Sequence, residues 1–192
     1  ERAQATIADK ERDPLAAEAA QSQARDAEAE SREAATAARL RAQELETSDP
    51  SLKGRIKIVE GDITLPDLGL GAERERLAQD TTEIFHLAAV YDLAVPRDVA
   101  MRVNVDGTVH VCDFAAACPD LRRLQYVSTC YVSGRYAGPF RETDLVKGQT
   151  FNNFYEETKY LAEVEVAERR DAGLPVSIYR PSVVSGDSTT GA

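Results

Sequence analysis

The sequence predicts an α/β fold, a parallel sheet with helices on both faces, preceded by a long Ala-rich helix. Three observations carry this. From residue 53 onward, short β-branched and aromatic runs alternate with longer stretches of helical periodicity, the pattern of strands joined by crossover helices. Polar and reactive residues cluster just past those runs, where open parallel sheets bind their ligands. Residues 1–50 differ sharply, with abundant Ala, Glu, Gln and Arg and almost no large apolar side chains.

The N-terminal stretch "RDPLAAEAAQSQARDAEAESREAATAARLRAQEL" is strong helix-former composition. Asp13 and Pro14 suit its N-cap and first helical position, and "TSDPS" ends it. Such a helix runs for roughly 30 residues, about 45 Å at about 1.5 Å per residue. Only Leu15, Leu40 and Leu45 anchor it, so most of its surface should be wet. A solvated helical insertion or extension over 1–50 fits better than a partner-binding helix. The second domain is then 51–192.

Within that domain "RIKIVEGD" reads as a short strand ending at Gly61-Asp62, and "TEIFHLAAV" as a buried strand from about Glu83 to Ala88. Residues 97–118 read as a helix, with Val99, Val103, Asn104, Val111 and Phe114 facing inward. "RRLQYVST" reads as a strand ending near Ser128, residues 153–171 as a helix, and "PVSIYRPS" as a strand ending near Arg180. The residues at the strand ends are Asp62, His86 to Ala89, Ser128-Thr129 and Arg180-Pro181-Ser182.

Composition narrows the function. A formal net charge of -10 argues against a nucleic-acid groove or an anionic membrane surface as partner, since both need clustered Lys and Arg. No apolar run approaches the roughly 18–20 residues of a membrane span. No h-region or cleavage-site pattern stands at the N-terminus, so no secretion signal is expected. Cys112, Cys118 and Cys130 are odd in number and lack metal-ligand spacing. They read as small buried residues in a reduced, cytoplasmic setting, with no metal site.

The stretch "FYEETKYLAE" carries the candidate chemistry. Asn153 and Glu156 stand in capping-box relation, and Gly173 is a C-terminal stop. Tyr155, Lys159, Ala162 and Val166 form one helical stripe, with Glu156, Glu157, Glu163, Arg169 and Arg170 largely elsewhere. Lys159 then shares the face that packs on the sheet, where a lone ammonium costs several kcal/mol unless it is paired or neutralised. An unperturbed Tyr titrates near 10, so bringing Tyr155 near 7 takes roughly 4 kcal/mol. An ammonium one turn away has the right sign to supply it. Tyr155 could then give a proton to an oxygen gaining negative charge, while Thr129 holds the same oxygen. The bland alternative has Lys159 at the helix edge, paired with Glu163 or Glu156 for a few tenths of a kcal/mol. The "VST" strand end upstream favours the catalytic reading.

"GDITLPDLGL", "IFHLAAVYD", "RVNVDGT", "QYVSTCYVSG", "NNFYEETKYLAE" and "YRPSVVSGDSTTG" follow one another here. In that order and rough spacing they resemble the extended short-chain dehydrogenase/reductases over residues 53–192. "VSTCYVSG" and "RPSVVSGDSTTG" look most like the thioester reductase-like branch, which includes the male-sterility type fatty acyl-CoA reductases and carrier-protein thioester reductase domains. The resemblance implies a partial Rossmann-like, doubly wound sheet and a nicotinamide dinucleotide cofactor, NADPH more than NAD. It implies Tyr155 as general acid, with Lys159 as its partner and as a ligand of the nicotinamide ribose. Thr129 matches the active hydroxyl, and Val127 and Ser128 would approach the cofactor. Asp62 and Ile63 would border the adenine, and Leu87, Ala88 and Ala89 would pass the ribose and phosphates. Pro181, Ser182, Val183 and Val184 would lie against the nicotinamide. Asn104 matches the helix Asn that braces the active-site backbone. Asp62 has the alternative of only capping a turn, and Asn104 that of only satisfying buried backbone. His86 and His110 read as structural, and Cys130 as packing.

The pattern departs from the family in one respect. No strand, Gly-rich turn and helix precede "RIKIVEGD", and that first βαβ unit holds the pyrophosphate. "GLGAER" at 69–74 lacks the third glycine and follows a Pro-containing loop, so it is not read as a phosphate loop. The second strand, which distinguishes NAD from NADP, and the C-terminal portion that shapes the substrate pocket are also missing. The chain reads as a middle fragment. In the strand order 3-2-1-4-5-6, residues 55–60 then lack a natural neighbour, while the last three strands can still form a contiguous sheet. The expected function is the core of an NAD(P)H-dependent reductase of a thioester or aldehyde carbonyl. A nucleotide-sugar epimerase or dehydratase, or a hydroxysteroid-type dehydrogenase, is the rival on the same scaffold, and "GDSTTG" weighs against it. A binding protein that lost the chemistry is the third reading, and retention of Thr129, Tyr155 and Lys159 weighs against that. This polypeptide alone is expected not to turn over substrate. Tight NADPH binding in a fluorescence titration would overturn the fragment argument.

Overall fold

The computed structural model describes residues 32–183 and 186. The chain divides into two units, Glu1–Glu60 and Gly61–Ala192. In the first, residues 32–48 form helix α1. Asp49 ends it by accepting from the Ser51 N–H and capping the short 3-10 turn Pro50–Leu52. Leu40 and Leu45 are 57% and 37% exposed, the wet helix that composition implied. Its expected start at Asp13-Pro14, and Leu15, lie outside the described residues.

"RIKIVEGD" is not a strand. Residues 56–60 have no regular structure, and Ile58 and Val59 are 40% and 45% exposed. A strand is stabilised by its ladder partner, and the described residues offer this one none.

The second unit runs α2 (Glu73–Asp80), β1 (Glu83–His86), α3 (Arg97–Ala100), a π-helical turn (Met101–Asp106), α4 (Gly107–Ala116), β2 (Arg123–Val127), a 3-10 turn (Cys130–Ser133), α5 (Phe154–Asp171) and β3 (Val176–Tyr179). The strands form one parallel sheet in the order β1-β2-β3, with Glu83 opposite Arg123 and Leu124 opposite Val176. These are the three strands expected to remain contiguous. Alternation sorts their faces. Leu124, Tyr126 and Val176 join Val111, Cys112 and Ala115 of α4 and Ala162 and Val166 of α5 in the main core. On the other face Phe85 and Tyr179 are 66% and 50% exposed.

Helix α5 starts where its caps dictate. The Asn153 side chain accepts from the Glu156 N–H at 2.9 Å. The Glu156 carboxylate reaches back one residue further than a standard box, to the Asn152 N–H at 2.9 Å. At the other end Gly173 takes φ +110°, and the Gly173 and Leu174 N–H groups close on Arg170 and Arg169 carbonyls. Glu156 and Glu163, expected largely off the packed face, are instead 6% and 1% exposed. Glu156 is drawn in by its capping bonds, and Glu163 by partners described below.

Both histidines are structural. His110 bonds the Ile63 carbonyl through Nδ1 at 2.8 Å. Beside it, Gly107 lets Ile63 approach so closely that an added Cβ would meet the Ile63 Cδ1 at 2.9 Å. His86 is buried, its Nε2 3.0 Å from the Thr108 hydroxyl. That hydroxyl donates its own proton to the Asn104 carbonyl at 2.7 Å, so it must accept from a protonated His86 Nε2. Burial, with the Lys159 charge adding to it, pushes the imidazole down to about 4. The unfolded chain protonates first, near 6.5. Stability from this histidine is thus complete above about 6.5 and is lost as pH falls toward 4. Replacing His86 with Gln keeps a donor but removes the titration. Urea denaturation should show wild type losing about 3 kcal/mol more than His86→Gln between pH 7 and pH 4. Parallel losses would show that His86 does not titrate in this way.

Candidate active site

The site forms where β2 ends under the first turns of α5. Past β2 the chain stays extended, and the Ser128 N–H bonds the Tyr179 carbonyl at 2.7 Å. The Cys130 N–H bonds the Pro181 carbonyl at 3.1 Å, so the ends of β2 and β3 remain zipped together. Thr129 is extended (φ −155°) and caps the next turn by accepting from the Tyr131 N–H. Gly134 ends that turn at φ +50°, where a Cβ would stand 2.3 Å from the Thr150 carbonyl oxygen. No other residue fits there.

Lys159 is 4% exposed, on the packed face as its stripe implied and not at the helix edge. Its ammonium donates to the Val127 carbonyl at 2.9 Å and the Tyr126 hydroxyl at 3.3 Å. It also lies 4.8 Å from the Tyr126 ring centroid, a cation–π distance. Burial pulls this lysine down to about 8, and the Glu163 carboxylate works against the fall.

Tyr155 is half-buried. Burial raises its phenol above the ordinary value, and a hydrogen bond with Thr129 only partly offsets this. The expected lowering toward 7 by Lys159 is therefore corrected. The ammonium is directed at the strand end, and loss of water around the phenol outweighs the Thr129 bond.

Asn104 sits in the π turn, 1% exposed. Its amide accepts from the Val90 N–H at 2.8 Å and donates to the Val90 carbonyl and the Thr158 hydroxyl, both at 3.0 Å. It thereby ties the segment after β1 to α5, beside Lys159. It does satisfy buried backbone, and the backbone it satisfies adjoins the site.

The other sequence-selected residues fall in three groups. Val127, Ser128, Thr129 and Pro181 meet at the zipped strand ends. Leu87 and Ala88 are exposed and Ala89 half-buried just past β1, and Pro181, Ser182 and Val183 are exposed past β3. Val184 lies outside the described residues. Asp62 and Ile63 belong to the loop held against α4. There Asp62 caps a turn, its Oδ1 accepting from the Thr64 N–H and hydroxyl at 2.8 and 2.7 Å. In "GLGAER" the Gly69 and Gly71 N–H groups point at the Asp67 carboxylate, at 3.0 and 3.3 Å. An internal anion already fills that turn, so it is no phosphate loop.

Sequence reasoning named Arg180 only as a strand-end residue and Glu163 only as an edge partner of Lys159, and missed that the two join each other and Ser128. One Glu163 oxygen accepts from Arg180 Nε at 2.9 Å and Nη2 at 2.5 Å, and the other accepts from the Ser128 hydroxyl. Arg180 also donates to the Arg141 and Asp144 carbonyls at 3.1 and 2.8 Å and stacks over Phe140. The signal was present, since Glu163 stands four residues after Lys159 as Lys159 does after Tyr155. Beside them opens a cleft of about 680 Å³, lined by Cys130, Ser133, Phe140, Arg141, Glu163 and Arg180 among others. Among the described residues no group of His, Cys, Asp and Glu could hold a metal. No helix among them is long and apolar enough to cross a membrane.

Comparison with known proteins gives this geometry its family. Residues 18–192 match the family described as "Male sterility protein". The fatty acyl-CoA reductase wat of Drosophila melanogaster is 30% identical over 162 residues, covering 71% of this chain and 31% of its own length. The terminal R domain of the myxalamid PKS-NRPS pathway superposes with a TM-score of 0.66 at 33% identity, covering 73% of this chain and 36% of that one. The dTDP-glucose 4,6-dehydratase DesIV of Streptomyces venezuelae, solved with NAD and TYD bound, gives a TM-score of 0.54 at 26% identity, covering 66% and 38%. The chain thus spans about a third of the length of these relatives. It belongs to the male sterility protein family, an NAD(P)-binding family of fatty acyl-CoA, thioester and aldehyde reductases.

Proposed function

We propose that this chain carries the proton-transfer half of an NADPH-dependent reductase acting on an acyl thioester or an aldehyde, in the cytoplasm. The observation that supports it most is Lys159, buried one helical turn from Tyr155 and fixed on the Val127 carbonyl, with Thr129 two residues further along the same chain. The residues fit a nicotinamide dinucleotide. Leu87, Ala88, Pro181, Ser182 and Val183 are exposed beyond the carboxyl ends of parallel strands, where such sheets bind nucleotides. Leu87, Ala88 and Ala89 would run along its ribose and phosphates, Asp62 and Ile63 border its adenine, and Val127 and Ser128 approach it. Pro181 to Val184 would line the nicotinamide, and Lys159 would bond the ribose.

The dinucleotide supplies a hydride to the carbonyl carbon. The chain's own residues manage the charge on oxygen. Tyr155, its phenol raised by burial, is protonated at neutral pH and gives its proton to that oxygen as negative charge develops. Thr129 donates a hydrogen bond to the same oxygen. Lys159, titrating near 8, is cationic at neutral pH and stabilises the phenolate left behind. With a thioester the resulting hemithioacetal releases the thiol and leaves an aldehyde. Acyl-CoA in the Drosophila relative's name and the PKS-NRPS origin of the R domain support a thioester substrate.

The test uses the protein at the full length of these relatives. Tyr155→Phe should lower kcat by about 100-fold or more, the usual contribution of a positioned general acid, with KM for NADPH within a few-fold. Turnover close to wild type would remove Tyr155 from the mechanism.

A further inference from the structure

We propose that Glu163 is a positioning residue of this site: clamped by Arg180, its carboxylate holds Ser128 and serves as the counter-charge of Lys159. The inference rests on the catalytic reading of Thr129, Tyr155 and Lys159.

Glu163 is 1% exposed, and a buried carboxylate is tolerable only with its lone pairs satisfied. Here the partners are the Arg180 fork on one oxygen and the Ser128 hydroxyl on the other. Arg180 in turn is anchored to the Arg141 and Asp144 carbonyls, so the carboxylate cannot drift with a side-chain rotamer. Ser128 is gripped twice, its N–H by Tyr179 and its hydroxyl by Glu163. The next residue is Thr129, whose hydroxyl bears on the Tyr155 phenol. A shift at Ser128 is therefore a shift of the hydroxyl that holds the substrate oxygen.

The charge argument is separate from the positional one. Around Lys159 stand Tyr155 and Glu163 on α5, Tyr126 on β2 and His86 on β1, with Arg180 behind Glu163 at the end of β3. Tyr126 is held far above its ordinary value by burial, and His86 is neutral at pH 7. Glu163, ion-paired to Arg180, is thus the one carboxylate in this set. Its charge opposes the downward pull of burial on Lys159.

The decisive variant is Glu163→Gln, which keeps shape and a hydrogen-bond acceptor but loses the charge. NMR titration of the Lys159 side chain in this 192-residue chain reads the effect without any need for activity. The midpoint should fall by about one pH unit below wild type, the size of one nearby charge, and Glu163→Asp should restore it. In the full-length reductase the alkaline limb of kcat should fall by the same amount. A Lys159 midpoint unmoved in folded Glu163→Gln overturns the proposal. A midpoint that falls while the alkaline limb stays put leaves the counter-charge role standing and removes Lys159 from the chemistry instead. If Glu163→Gln does not fold because Arg180 is left buried alone, Glu163→Gln/Arg180→Gln removes both charges together. Loss of the more distant Arg180 cation offsets part of the effect, so a smaller fall is expected there, and a midpoint that does not fall overturns the proposal.

Discussion

The second unit is organised around one buried cation. Lys159 carries its ammonium into the seam between α5 and the sheet, where an unpaired charge would be untenable. Four groups make it tenable: the Val127 carbonyl, the Tyr126 hydroxyl, the Tyr126 ring and the Glu163 carboxylate. Three of the four belong to the last two residues of β2. The height of α5 over the sheet is therefore set at the end of the strand that also carries Ser128 and Thr129. Burial keeps the neighbouring His86 neutral, and the same cation adds to that effect. A second positive charge at His86 would compound the cost, and the imidazole is accordingly neutral and donating.

A second tie fixes the helix from the other side. The run from Arg97 to Ala116 is interrupted by one π turn, a feature often found at functional sites. Asn104 lies in that turn and reaches both Val90 and Thr158. Thr158 precedes Lys159. The backbone after β1, the π turn and α5 are thus linked through one amide, and the Lys159 seam links α5 to β2. Two polar bridges, built on the buried side chains of Asn104 and Lys159, join β2, α5, the π turn and the backbone after β1. Hydrophobic contact could hold these layers together, but it has no direction and would leave their register loose.

Much of this was legible. The β1, β2 and β3 runs and the caps of α5 were readable because local propensity and burial agree there. The Tyr155–Lys159 stripe was readable because helical spacing alone puts Lys159 inward. What was hidden depended on partners distant in sequence. Residues 55–60 have strand composition, but strand formation needs a neighbouring strand. Glu163 reads as a solvent-facing charge until Arg180 arrives from the end of β3, seventeen residues on. Spacing showed Lys159 near Tyr155, but not that its ammonium would turn to the Val127 carbonyl. The π turn leaves no mark in the pattern of residues 97–118, since its apolar positions still suit an ordinary helix.

The two displaced titrations at the site have a chemical direction. Burial raises the Tyr155 phenol and lowers the Lys159 ammonium to about 8, yet near neutral pH neither has given up its proton. The site then presents a proton donor close to a cation. On the proposed reading a carbonyl oxygen that gains negative charge finds its proton in Tyr155, and the phenolate that results finds Lys159. The reverse reaction would have to begin from a phenolate, the form that burial disfavours most. On the proposed reading the same desolvation that defeats the simple lowering of Tyr155 keeps the phenol protonated at neutral pH. It also means the phenolate is stabilised by Lys159 only while Lys159 remains charged, so the carboxylate one turn further along α5 bears on the chemistry without touching the substrate.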